Sequence, residues 1–177
     1  MKFHWGRGVF ISLLAVATIA VAQQPNVPKV VPVKPNAAFE RMKSLVGEWE
    51  GANSVSAARV SYRLTSGGTV LLEMLVEKDT DGKDVEMMTA YYLDGDKLAM
   101  THFCAGNSQP RMIAASATGD EISFKFKDVT NLPAADYGHM RALTVRFIDA
   151  DHITQAWTWR ENGKDQKAEV FQFTRKR

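Results

Sequence analysis

Residues 39–51, F-E-R-M-K-S-L-V-G-E-W-E-G, decide how the rest of the chain is read. Phe39, Met42, Leu45 and Val46 recur at i, i+3, i+6 and i+7, which predicts one apolar stripe on a short helix. Gly47 then supplies the residue without a Cβ that helix ends favour. Trp49, between Glu48 and Glu50, changes the alternation from helical to strand spacing. A short helix, a glycine and a large aromatic opening the first strand form one way to plug the end of a barrel. An ordinary capped helix ahead of a strand with a buried tryptophan is the other reading of the same residues.

Upstream, Lys2, His4 and Arg7 form a basic start, residues 9–21 are an apolar run, and Ala20-Val21-Ala22 is a small-x-small cleavage site before Gln23. The run is shorter than the roughly 20 apolar residues that a membrane span needs. No cysteine stands at the cleavage point to take a lipid. Residues 1–22 therefore read as a signal peptide. The mature chain is expected to be periplasmic or secreted, with no stable membrane insertion after cleavage. Residues 23–38 hold Pro25, Pro28, Pro32 and Pro35 and read as an extended linker. Residues 39–177 are long enough for one domain with a real core.

The 22 basic and 20 acidic residues hide an asymmetry. Lys2 and Arg7 lie in the leader, and their removal leaves the two signs equal in number. A neutral chain without a Lys/Arg block gives no basis for a nucleic-acid or anionic-lipid partner. Cys104 is the only cysteine, so no disulfide can form within the chain and stability must come from packing.

Downstream of Gly51 the chain alternates between strand-like runs and turn chemistry. Val60, Tyr62 and Leu64 share one side, and Leu72, Met74 and Val76 share one side. Ile122, Phe124 and Phe126 alternate with Ser123, Lys125 and Lys127 as a strand wet on one face. Asp81-Gly82, Gly95-Asp96, Gly119-Asp120 and Asn162-Gly163 mark tight turns. The one long joint spans residues 128–138. About nine to ten strands with hairpin-length connections predict an all-β, antiparallel, up-and-down barrel with a short N-terminal helix. Closure removes exposed edges, and a barrel of this size can enclose a small ligand.

The Gly47-Glu48-Trp49 triplet after a short helix, at the head of such a meander, resembles the Gly-x-Trp opening of the lipocalin or calycin group. That group includes fatty-acid-binding proteins and nitrobindin-like haem barrels. The resemblance implies that Trp49 packs at the closed end against a basic residue of a late strand. Arg175 is the position that matches, with Arg160 second. The second lipocalin signature, Thr-Asp-Tyr, is only echoed by Ala135-Asp136-Tyr137.

For chemistry, residues 98–112 stand out. Alternation puts Leu98, Met100, His102 and Cys104 on one face, assigned to the interior, beside a polar loop with Asn107, Gln109 and Arg111. Met, His and Cys are soft ligands that suit Cu(I) or haem iron, but the spacing matches no metal signature. A core histidine beside an inert thiol, or a polar anchor for an organic ligand, fits the same residues. His139 and Arg141 share the face of Leu143 next to the long joint and could hold a carboxylate at the barrel mouth. Trp157 and Trp159 share a side as core or cavity wall, and Met74 joins Met100 among possible lining residues. Sequence motifs of catalysis are absent, and no third group orients Cys104 and His102 as nucleophile and base.

The expected function is non-catalytic binding of a small hydrophobic or amphipathic molecule inside the barrel. Met74, Met100, His102, Cys104, Arg111, His139, Arg141, Trp157 and Trp159 are its candidate ligand-binding residues, and Gly47, Trp49 and Arg175 the closure residues. A haem or metal barrel using His102 or His139, and an interaction module with a filled core, are the alternatives.

Overall fold

The computed structural model describes residues 34–177; the expected signal peptide and the expected linker as far as residue 33 lie outside the described residues. Helix α1 runs Ala37–Lys43, and its N-terminus is capped where the Asn36 side chain accepts the Phe39 N–H at 2.9 Å. Phe39 and Met42 are buried beneath it. The helix ends earlier than the stripe implies. Ser44 is its C-cap, Leu45 is buried, and Val46 is 43% exposed. Helical spacing fails at Val46 because the chain has already left the helix. Gly47 is not its cap but the first residue of a strand.

Eleven strands follow: β1 Gly47–Ala52, β2 Ala57–Thr65, β3 Val70–Lys78, β4 Asp84–Asp94, β5 Lys97–Phe103, β6 Gln109–Thr118, β7 Glu121–Thr130, β8 His139–Phe147, β9 His152–Glu161, β10 Lys164–Asp165 and β11 Glu169–Arg175. Sequential neighbours from β1 to β9 pair antiparallel. β11 lies between β9 and β1, and the β8–β9 pairing shuts the ring. Ten strands make the barrel; β10 merely lengthens the hairpin after β9. At that hairpin Asn162 and Gly163 have φ of 51° and 72°, the left-handed pair that a tight two-residue turn demands. Closure gives the long strands a hydrogen-bonded neighbour on both sides.

One end is closed by α1. Trp49 faces Arg175 across the β1–β11 register, and its indole N–H donates to Leu45 O at 2.8 Å. The Arg175 guanidinium lies 4.1 Å over the indole ring and donates to Val46 O and Ser44 O, each at 2.8 Å. A Cβ on Gly47 would come within 3.1 Å of the Arg175 Nη1, so the side-chain-free residue gives the guanidinium its room.

Within the wall, the inward residues of β3 are Leu71, Glu73 and Leu75. Leu72, Met74 and Val76 face outward, which corrects the interior placement of Met74. In V-L-L-E-M-L-V both faces are apolar, so alternation is silent about which one is buried. Register with β2 and β4 decides it, placing Glu73 opposite Tyr62 and Thr89.

The middle of the lumen is filled. Leu71, Tyr91, Met100, Met112, Leu143 and Gln155 have 0% of their surface exposed. A void large enough for water beside them would have left some surface to touch.

Candidate functional site

Four cross-strand partners form one polar row around the inner wall: Tyr62 on β2, Glu73 on β3, Thr89 on β4 and His102 on β5. All four are buried. Tyr91, also inward on β4, donates its hydroxyl to Glu73 Oε2 at 2.9 Å. From the far wall, Gln155 on β9 donates Nε2 to Glu73 Oε2 at 2.7 Å and to the Tyr62 hydroxyl at 2.6 Å. The Trp157 indole N–H donates to Gln155 Oε1 at 3.0 Å, which sets the orientation of that amide. At the other end of the row, Thr89 Oγ1 lies 2.9 Å from His102 Nδ1, and the Trp157 ring sits 4.8 Å from the imidazole.

Burial raises the Glu73 pKa, and hydrogen bonds from Tyr62, Tyr91, Gln155 and Thr89 act against that rise. The hydroxyls of Tyr62 and Tyr91 are pushed well above the ordinary phenol value, first by burial and then by the Glu73 charge. Burial lowers the His102 pKa to about 4, so the imidazole is neutral at physiological pH. Its Nε2 is buried and has no hydrogen-bond partner among the described residues. Ser108 Oγ, in the loop after β5, is in the same condition.

The helix-free end of the barrel lies beyond this row. Leu75, Met87 and Cys104 continue the inner wall toward it. Trp159, inward on β9, lies against the loop glycines there. A Cβ on Gly138 would fall 2.2 Å from the indole and one on Gly106 would fall 3.4 Å from it. The flanking loops are tied together, Asn131 Nδ2 donating to Asn107 O and the Asn162 N–H donating to Asp136 O. Cys104 Sγ accepts the Gly106 N–H at 3.4 Å, and burial raises its thiol pKa, which disfavours the thiolate.

The structure brings Met100, His102, Cys104, Trp157 and Trp159 to one lumen, and Gly47, Trp49 and Arg175 to the opposite end. Met74 faces outward and Arg111 lies outside the lumen, whereas His139, 6% exposed, packs with its ring 5.2 Å from that of Phe126 at the start of β8. Arg111 is exposed and pairs bidentately with Asp128, its Nη2 at 2.6 Å from the carboxylate. A β-bulge between Met140 and Ala142 breaks the expected sharing of a face by His139, Arg141 and Leu143. His139 Nδ1 meets Tyr137 O at 3.0 Å, and the Arg141 guanidinium sits 4.3 Å over Phe126. Sequence reasoning missed Tyr62, Glu73, Thr89, Tyr91 and Gln155 as a group. A lone carboxylate inside the apolar run of β3 was the available signal.

His102 offers a free nitrogen, while Met100, Trp157 and Leu143 around the lumen are at most 2% exposed, so the packed centre holds no open slot the size of a haem macrocycle. Among the described residues no cluster of His, Cys, Asp and Glu could hold a metal ion.

The closed ten-strand antiparallel ring with one short helix is consistent with a calycin-like barrel. No protein-family model and no curated protein sequence matches the chain.

Proposed function

We propose that this chain is a non-catalytic binding barrel of lipocalin type that takes a small apolar or amphipathic molecule at the end of the lumen beneath Trp159. His102 is its polar anchor. The observation that carries the reading is the buried, unpartnered Nε2 of His102, beside a polar network whose other members are paired. An unmet buried polar atom costs about 1–3 kcal/mol, which a ligand group bonded to it would recover. Leu75, Met87 and Cys104 supply apolar wall between that nitrogen and the mouth, so binding would be driven by removal of apolar ligand surface from water. Occupancy requires the Trp159 indole to give up its place over the glycine loops. The Gly47, Trp49 and Arg175 cluster supports the lipocalin-type assignment. The leader sequence supports export to the periplasm or beyond.

The filled middle of the lumen favours a second reading, an interaction module with no ligand. Native mass spectrometry of the purified chain, followed by titration with decanol under tryptophan fluorescence, separates the two. The binding barrel predicts a small-molecule adduct or saturable decanol binding, lost in a folded His102→Leu variant. Absence of both in the wild type supports the filled module.

A further inference from the structure

We propose that the outer face of β3–β5 is the interface of a two-fold dimer of this chain, in which Arg63 of each copy pairs with Glu86 of the other across a row of Met74, Met88 and Phe103. Such a dimer does not depend on what the lumen binds.

Closure leaves the long strands no free edge, so another chain can meet the barrel only through an outer face or an end. Outward side chains differ around the ring. On β7–β9 they are small or polar: Ser123, Thr144 and Ala156 stand side by side, as do Lys125, Ala142 and Thr158. That is the composition of a wall in water. On β3–β5 the outward row is instead Met74, Met88 and Phe103, in direct register on three neighbouring strands, with Phe103 43% exposed. Leu72 and Val76 flank Met74 on β3. Long apolar side chains gathered on one part of the wall mark a contact surface, unlike single exposed residues.

The charges around this row say what covers it. Arg59 is taken by Asp84 and Arg111 by Asp128. Arg63 and Glu86 are exposed, and neither has an ion-pair partner among the described residues. Arg63 stands opposite Leu72, and Glu86 opposite Val76. The two charges therefore sit at diagonally opposite corners of the face with Met74 midway between them. A two-fold axis lying in the plane between two copies, over Met74 and at right angles to that diagonal, brings Arg63 of each copy onto Glu86 of the other. Both pairs form together, because a two-fold contact uses the same patch twice. On the same lattice of cross-strand pairs, Phe103 of one copy falls beside Ala90 of the other, a large side chain against a small one.

A lipid surface would set Glu86 against headgroup phosphates, whereas a second copy gives each charge its opposite. From four strands and three rows of alternate residues, the face measures about 14 Å by about 13 Å between Cα positions. That is below the roughly 800 Å² per partner of a standard interface, so the dimer is expected to be weak and concentration-dependent.

Sedimentation equilibrium of the purified full chain, from micromolar to near-millimolar concentration, tests this. The wild type is expected to show a monomer–dimer equilibrium that added salt weakens. Arg63→Glu and Glu86→Arg each set like charges together and are each expected to weaken association on the order of tenfold. Combined in one chain they again place opposite charges across the axis, and association is expected to return to near the wild-type value. Within one chain the two positions are roughly 16 Å apart between Cα atoms, so that restoration reads a contact between copies. Met74→Lys places two cations at the axis and is expected to abolish the dimer. All of these changes lie on the outer wall, and far-UV circular dichroism checks that each variant folds. A wild type that stays monomeric throughout, a dimer that neither reversal weakens, or a double reversal that does not restore association each overturns the proposal. Flotation of a monomeric chain with phosphatidylcholine vesicles would assign the face to lipid and overturns it as well.

Discussion

His102 shows how much one residue's environment sets its chemistry. The imidazole is lowered from 6.5 to about 4, so the unfolded chain takes up a proton at a pH where the folded one does not. The resulting stabilisation is fully present above about pH 6.5 and is lost as pH falls to about 4, on the order of 3 kcal/mol in all. Glu73 has the opposite sign: its pKa is raised, so its contribution is lost as pH rises through the folded value. Urea unfolding from pH 7 to pH 4 should show the wild type losing more stability than His102→Gln by that amount. Parallel pH profiles would show that the fold does not hold this imidazole neutral. The inward direction of His102 is legible in the sequence, since Leu98 and Met100 on its face outweigh Ala99 and Thr101 on the other, even with Phe103 on the outer side. The inward direction of Glu73 is not, because the apolar residues beside it lie on both faces of β3.

At the scale of elements, β9 organises the lumen. Its inward residues Gln155, Trp157 and Trp159 reach across to β2 and β3, to β5, and to the loop glycines at the mouth. The sequence shows Trp157 and Trp159 on one side of a strand but not what they meet, because their partners come from other hairpins. The mouth tests this directly. A Cβ at Gly138 would sit 2.2 Å from the Trp159 ring, against ring atoms that cannot bend away. Gly138→Ala should therefore displace the indole, shift tryptophan emission toward that of a wetter ring, and cost about 1–3 kcal/mol in urea unfolding. Unchanged emission and stability would mean that the indole does not pack against Gly138. The β-bulge in β8 is a second event that alternation cannot foresee. One unpaired residue, Arg141, resets the side chains before it relative to Leu143.

For the whole molecule, closure is concentrated where the first and last strands meet. Arg175 binds two carbonyls of the segment after α1 and stacks on Trp49, joining helix, first strand and last strand. A lysine keeps the charge but cannot reach both carbonyls while lying flat on the indole. Arg175→Lys should lose about 1–3 kcal/mol of stability, measured by urea unfolding, with little change in the lumen. Equal stability would mean that strand pairing alone holds the ring shut.

Legible in the sequence are about nine to ten strands in antiparallel succession, the short helix ahead of them and the inward face of β5. These depend on turn residues and alternation between near neighbours, where the physics is local. Tertiary structure alone decided which face of β3 is inside, which polar side chains meet in one row, and that the centre is filled. Those outcomes depend on register between strands distant in sequence and on the summed volume of side chains from opposite walls, and neither is carried by any single stretch of chain.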